Sequence, residues 1–268
     1  MEFSKKHYIY LCIGVIGLWI VSFGIFQYKK IDGIKFERHY VETEFIGSIK
    51  LNYKIGKHFK DVPIYATFPE IKELRDCRFP LMLEATSSKN TSHYKDSTML
   101  INIFDPLGMD FSSVEKILTG KKVTKVSFNM QKGEDIIYDI GVVHFNNINN
   151  GSGEGVISNN VSFNEYTESD GIGYFTLPRD CTLFEVSGTN LNRIMDEYEV
   201  YINDIRLTKE IVPVNFQKGE FNIKVIPKNK DIKSEYDVVT SNIIFKLRDK
   251  DKKVIHCVFT IEKDLNKN

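Results

Sequence analysis

From residue 40 onward, apolar and polar positions alternate with a period of two. In SIKLNYKI (48–55), Ile49, Leu51, Tyr53 and Ile55 share one face and Lys50, Asn52 and Lys54 the other. That is the pattern of a half-buried strand facing solvent on its second side. VPIYATF repeats it with Val62, Ile64, Ala66 and Phe68, and TMLINIF (98–104) predicts a strand stopped by the turn DPLG. The last third is the most regular. Asn203-Asp204 suits a type I′ hairpin, because both residues tolerate positive φ, and it pairs Ile202 with Ile205 and Val200 with Leu207. A second hairpin turns at DKDK (249–252). It puts Ile255, Cys257, Phe259 and Ile261 on one face and His256 on the other. One short helix is expected in SSVEKILTG, with Ser112 as N-cap, Glu115 three residues later and Gly120 as the stop. NLNRIMDEY (190–198) fits either a helix or the start of the next strand.

These patterns predict a mainly β protein, an antiparallel β-sandwich of the immunoglobulin kind. The Asn- and Gly-rich stretch NNINNGSGEG (146–155) divides it into two β domains, 31–150 and 151–268. A single large sandwich over 31–268, with that stretch as a hairpin loop, is the alternative organisation.

The first 30 residues break the alternation. Tyr8 to Tyr28 contains no charged residue, and at 1.5 Å per residue it reaches about 31 Å as a helix, the hydrocarbon thickness of a bilayer. Aromatic residues lie near both ends and Lys5, Lys6, Lys29 and Lys30 flank it. Residues 1–30 are therefore expected to be a membrane anchor with a short N-terminal tail, in contact with the lipid bilayer through residues 8–28. Ser22-Phe23-Gly24 offers the small residues of a signal-peptidase site, but the apolar run continues past it. Lys29, Lys30, Lys35 and Arg38 count towards a cytoplasmic C-terminal side, whereas long folded domains translocate largely regardless of such charge. The expected placement of the C-terminal part is extracytoplasmic.

One internal echo stands out. NMQKGE (129–134) and NFQKGE (215–220) share five of six letters. Their flanks ask for different turns. The first pairs Met130 with Glu134 and Phe128 with Ile136 around a three-residue loop, Gln131-Lys132-Gly133. The second must pair Phe216 with Phe221, which needs a loop of two or four residues. Identical turn letters with different registers argue against a simple repeat.

Charge and composition narrow the functions. The 268 residues carry 36 Lys and Arg against 36 Asp and Glu, so the chain has no bulk attraction for nucleic acid. Four cysteines, of which Cys12 lies in the apolar segment, do not make a disulfide scaffold. The six histidines show no metal-ligand spacing. Glu168 and Asp170 in NEYTESDGIG are the candidate calcium ligands, although an EF-hand alignment fails at both ends of the loop. GSGEG lacks the Lys-Ser/Thr of a phosphate loop, and no cofactor is expected.

TLPRDC, ending at Cys181, resembles the Thr-Leu-x-Thr-Cys strand of sortases, which combine an N-terminal anchor with a β-barrel. That resemblance implies a cysteine transpeptidase with Cys181 as nucleophile, His144 as base and Arg193 as oxyanion partner. The chain departs from the family pattern: Arg-Asp precedes the cysteine and the spacing is one residue longer. The leading expectation is a single-pass membrane protein whose β-rich ectodomain binds a protein or cell-envelope partner and is not an enzyme. A sortase-like transpeptidase and an accessory subunit of a membrane assembly are the alternatives.

Overall fold

The computed structural model describes residues 5–44, 48–84, 94–146, 156–164, 170–208, 211–228 and 235–265. The stretch 147–155, where the domain boundary was expected, lies outside the described residues.

The chain opens with α1 (Lys5–Lys29), whose described side chains, Tyr10 and residues 12–27, are all exposed. Among the described residues no helix is long and apolar enough to cross a membrane.

The first half contains β1 (Ile34–Phe36), β2 (His39–Glu44), β3 (Ser48–Gly56), β4 (Pro63–Thr67), β5 (Phe79–Glu84), β6 (Tyr94–Asn102), α2 (Phe111–Leu118), β7 (Lys122–Met130) and β8 (Asp135–Asn146). Hydrogen bonding runs β1-β3-β6-β5-β4-β7-β8-β2. Strand β5 turns the corner: Phe79 and Pro80 pair with β4, and Leu81 to Glu84 pair with β6. The ladder thereby folds into two layers over one apolar core. Across that core the rings of Phe36 and Phe128 stack at 5.2 Å. Set against an immunoglobulin sandwich, β1-β3-β6-β5 is the A-B-E-D layer and β4-β7-β8 the C-F-G layer, with β2 lying parallel to β8.

The second half contains β9 (Val156–Asn164), β10 (Gly171–Leu177), β11 (Cys181–Ser187), α3 (Leu191–Glu197), β12 (Tyr198–Ile202), β13 (Ile205–Arg206), β14 (Val214–Phe216), β15 (Gly219–Pro227), β16 (Val238–Asp249) and β17 (Val254–Asp264). A four-stranded sheet, β10-β15-β12-β13, faces a layer in which β16 lies between β11 and β17, with β14 on β11 and β9 parallel to β17. A second, separate core fills the space between them. The same B-E-D against C-F-G order recurs.

Many sequence-based expectations hold locally. Gln131 to Gly133 forms the three-residue loop, with Phe128 opposite Ile136, Met130 bonded to Glu134 and Gly133 at φ 88°. Asn203 and Asp204 take φ 44° and 66°, with Ile202 opposite Ile205. NLNRIMDEY supplies both a helix and the strand after it.

Four expectations are corrected. Strand β4 carries a bulge: Pro63 pairs with Met130 and Tyr65 with Asn129, leaving Ile64 as an extra residue. The bulge exchanges the two faces, so Val62 and Ile64 are exposed while Ala66 and Phe68 remain in the core. The N-cap of α2 is Asp110, not Ser112, because its carboxylate accepts the Ser113 N–H (3.0 Å) and both serine hydroxyls. NFQKGE is not a hairpin: β14 pairs with β11, and β15 pairs with β10 and β12 in the opposite layer. The pairing of the strands is not purely antiparallel, since β2–β8, β2–β16 and β9–β17 are parallel.

Strand β2 also joins the halves. One edge of β16 is shared in sequence: β11 takes residues 244–249, and His39 to Val41 of β2 take 238–240. The C-F-G layers of both sandwiches therefore form one continuous hydrogen-bonded sheet.

Candidate functional site

The densest group of buried polar side chains lies where β2 meets β16. Five strands contribute. His39 and Glu42 come from β2, Asn52 from β3, Thr98 from β6, Asn242 from β16 and Asp264 from β17; all are buried. Asn52 sits at the centre. Its N–H donates to His39 Nε2 (2.8 Å), its Oδ1 accepts from Thr98 Oγ1 (3.1 Å), and its Nδ2 reaches Asp264 Oδ2 (3.5 Å). Asn242 is the counterpart on the other side. Its N–H donates to Glu42 Oε2 (3.0 Å), its Nδ2 to the Glu42 carbonyl (3.2 Å), and its Oδ1 accepts from Thr260 Oγ1 (2.8 Å). A Lys50–Glu262 ion pair (2.9 Å) closes the rim.

The backbones approach closely here. At Gly141, φ is 90° and a Cβ would meet the His39 carbonyl oxygen at 2.0 Å, so only glycine fits where β8 runs beside β2.

Burial controls the ionisation of the group. Because Nε2 accepts the Asn52 N–H, the His39 proton belongs on Nδ1. Burial depresses the His39 pKa to about 4, against the opposing pull of the Glu37 and Ile140 carbonyls, so the ring is neutral at pH 7. Burial pushes Glu37 up to about 7; Asp264 adds to the rise and Lys54, 3.8 Å away, opposes it. Glu42 is raised by burial too, while the Asn242 N–H and the Tyr40 hydroxyl favour its charged form. The cluster can register and hold two sandwiches: Asn52 to Asp264, Asn242 to Glu42 and Lys50 to Glu262 cross the seam. It presents no nucleophile next to a base.

No motif or period in the chain points to this group. In SIKLNYKI, Asn52 occupies a position whose period predicts solvent; it is buried because the second sandwich covers that side. His39, Glu37 and Asp264 fall in short stretches without a motif.

The residues singled out from sequence lie elsewhere and apart. Cys181, at the start of β11, is buried, and its Sγ donates to the Arg179 carbonyl (3.3 Å). Burial, with help from Asp249, raises its thiol pKa, the opposite of an activated thiolate. His144, on β8, has Nδ1 3.4 Å from Thr189 Oγ1. Thr189 follows the far end of β11, and the strand between Cys181 and Ser187 spans roughly 20 Å. Arg193, on α3, donates from Nε to Glu197 (2.7 Å) and lines a shallow cleft with Tyr198 and Ser241. The fold does not bring Cys181, His144 and Arg193 together. The TLPRDC stretch instead pins turns: Arg179 pairs with buried Asp249 (2.9 Å), and Asp180 accepts the Lys218 N–H (2.8 Å). Asp170 forms an ion pair with Lys224 (2.6 Å), and Glu168 lies outside the described residues. Among the described residues no group of His, Cys, Asp and Glu side chains is arranged to hold a metal ion.

No protein-family model and no curated relative matches the chain. Three solved structures align over most of it. The CupB6 tip adhesin from Pseudomonas aeruginosa is 8% identical with a TM-score of 0.28, covering 86% of this chain and 99% of that one. The adhesive subunit CfaE of the CFA/I fimbria of enterotoxigenic Escherichia coli is 7% identical with a TM-score of 0.26, covering 87% of both. A protein of unknown function from Porphyromonas gingivalis W83 is 7% identical with a TM-score of 0.25, covering 87% of this chain and 100% of that one. Likeness at this level carries no argument. The sandwich assignment rests on the strand pairing of this chain.

Proposed function

We propose that the chain is a single-pass membrane-anchored binding module. In this reading α1 lies in the bilayer through residues 8–28. The two sandwiches stand on the extracytoplasmic side and present their loops to a protein or cell-envelope partner, without chemistry of their own.

The observation that carries the reading is α1 itself. It is a 25-residue helix, roughly 37 Å long, and its described side chains from 12 to 27 are exposed all round, Leu18 and Trp19 included. A helix apolar on every side calls for an apolar surround. The described side chains of α1 by themselves fall short of a span, but the whole segment 8–28 is uncharged and lysines flank both ends. The joined C-F-G layers support the second half of the reading, because a continuous sheet holds the loop surfaces of both sandwiches in one fixed relation.

Trp19 is the single tryptophan and gives a direct test. On adding phospholipid vesicles to the detergent-purified full chain, its emission is expected to shift to the blue and to be quenched by brominated lipid. Emission that stays water-like, with protein released from membranes by alkaline carbonate, removes the anchor. Crosslinking in intact cells, followed by recovery in mild detergent, is expected to yield an envelope-exposed partner. A stable multi-subunit membrane complex would instead make the chain an accessory subunit.

A further inference from the structure

We propose that the end of the second sandwich remote from α1 is a docking rim for an acidic polysaccharide. The inference rests on the reading of the chain as a surface-presented binding module and names the partner chemistry.

Strand polarity places the rim. Strand β2 leads away from α1 and β1, and β16 runs parallel to it. Beyond Thr240, the last residue of β16 paired with β2, the strand continues to Asp249, roughly 30 Å further from the anchor. Three connections meet at that end: 178–180 between β10 and β11, 217–218 between β14 and β15, and 250–253 between β16 and β17. Two of them are the B–C and F–G loops, which form one rim of an immunoglobulin sandwich.

The three connections are tied to one another. Arg179 bridges to Asp249, Asp180 accepts the Lys218 N–H and lies 3.5 Å from Lys250 Nζ, and Asp249 accepts the Lys253 N–H (2.8 Å). A rim already held in shape loses little freedom when a ligand binds.

Its charge is biased towards cations. Lys218, Lys250, Lys252, Lys253 and Arg248 are exposed there, against exposed Asp180, Glu220 and Asp251. Asp249 is buried on Arg179 and offsets it. In a chain with 36 charges of each sign, that is a local excess of cations. The Arg248 guanidinium lies 4.3 Å from the centre of the Phe184 ring, which holds it in place.

The chemistry favours a glycan over a protein. Protein hot spots are built around aromatic and apolar anchors. None of the exposed large apolar side chains among the described residues lies in these three connections. Flexible ammonium groups instead suit anionic oxygens spaced along a polymer, with no fixed geometry.

The test uses the full chain in neutral detergent micelles, titrated with fluorescent dextran sulfate, neutral dextran and poly-glutamate. Dextran sulfate is expected to bind with an affinity that falls linearly as log salt rises, and neutral dextran is not. The triple variant K218E/K250E/K253E is expected to lose about ten-fold or more in affinity and to show a shallower salt slope. The variant K57E/K60E/K132E changes net charge equally, at the opposite end of the first sandwich, and is expected to bind like wild type. Equal losses in both variants, salt-independent binding or no binding would each overturn the proposal. Preference for poly-glutamate would make the partner an acidic protein and overturn it too. Binding in micelles does not depend on the bilayer, so failure here is separate from failure of the Trp19 test.

Discussion

The cores of the two sandwiches and the seam between them are equally closed to water, yet they are made of opposite materials. The first core is a run of Phe, Ile, Leu and Val side chains contributed by alternate positions of its strands. The seam is His, Glu, Asn, Thr and Asp, hydrogen-bonded between strands distant in sequence. Apolar packing holds each sandwich together without caring greatly which neighbour fills the space. Paired donors and acceptors hold two sandwiches in one register, because a shift leaves groups unsatisfied in a dry place.

The contrast can be broken by mutation, and the core should show the largest effect. Phe128 is fully buried and stacks on Phe36, so Phe128→Ala is expected to cost about 3–5 kcal/mol in chemical denaturation. A loss under about 1 kcal/mol would mean that the two layers do not rely on this contact.

The second effect separates the seam from the core by pH. Glu37 has a folded pKa of about 7 against 4.5 for the free group, so its contribution is complete below pH 4.5 and is lost as pH rises through 7. His39 has a folded pKa of about 4 against 6.5, so its contribution is present above pH 6.5 and is lost as pH falls through 4. Between about 4.5 and 6.5 the two slopes oppose each other. Glu37→Gln removes one of them. The variant is expected to gain stability, relative to wild type, as pH rises from 4.5 to 7, by on the order of 2 kcal/mol after solvent screening. Parallel stability curves for the two proteins would show that Glu37 is not buried as described.

Asn242→Ala comes next. It leaves the Glu42 carbonyl and the Thr260 hydroxyl without their partner, at about 1–3 kcal/mol. Partial proteolysis should then release the halves separately, whereas Phe128→Ala should expose the first half alone. The smallest effect is at a turn: Gly133→Asn is expected to cost about 1 kcal/mol or less, since asparagine tolerates positive φ and the site has open space.

How far these regions could be read from sequence follows the same division. The alternation in β3 correctly places Ile49, Leu51 and Tyr53 inside, because a strand facing one core repeats every two residues. The same alternation misplaces Asn52, because it records one buried face and β3 has a second neighbour. At β4 the bulged Ile64 resets the period without any mark in the letters. Cys257 is rightly inside; His256, on the opposite face, is buried as well. Cys181, His144 and Arg193 were drawn together by motif resemblance, which carries residue types but no distances.

The two nearly identical hexapeptides mark the boundary most clearly. NMQKGE turns β7 into β8 within one layer, whereas NFQKGE carries the chain from one layer to the other, with Phe216 and Phe221 stacked at 5.3 Å across the core rather than paired in a ladder. Near neighbours and period are enough to mark which stretches are strands, which turns are tight, and that the first 30 residues differ in kind. Long-range packing settles which strands share an edge, which polar residues are shut from water, and that β2 stitches the two sandwiches together. Those depend on contacts between residues as far apart as Glu42 and Asn242, and no local pattern encodes a partner 200 positions away.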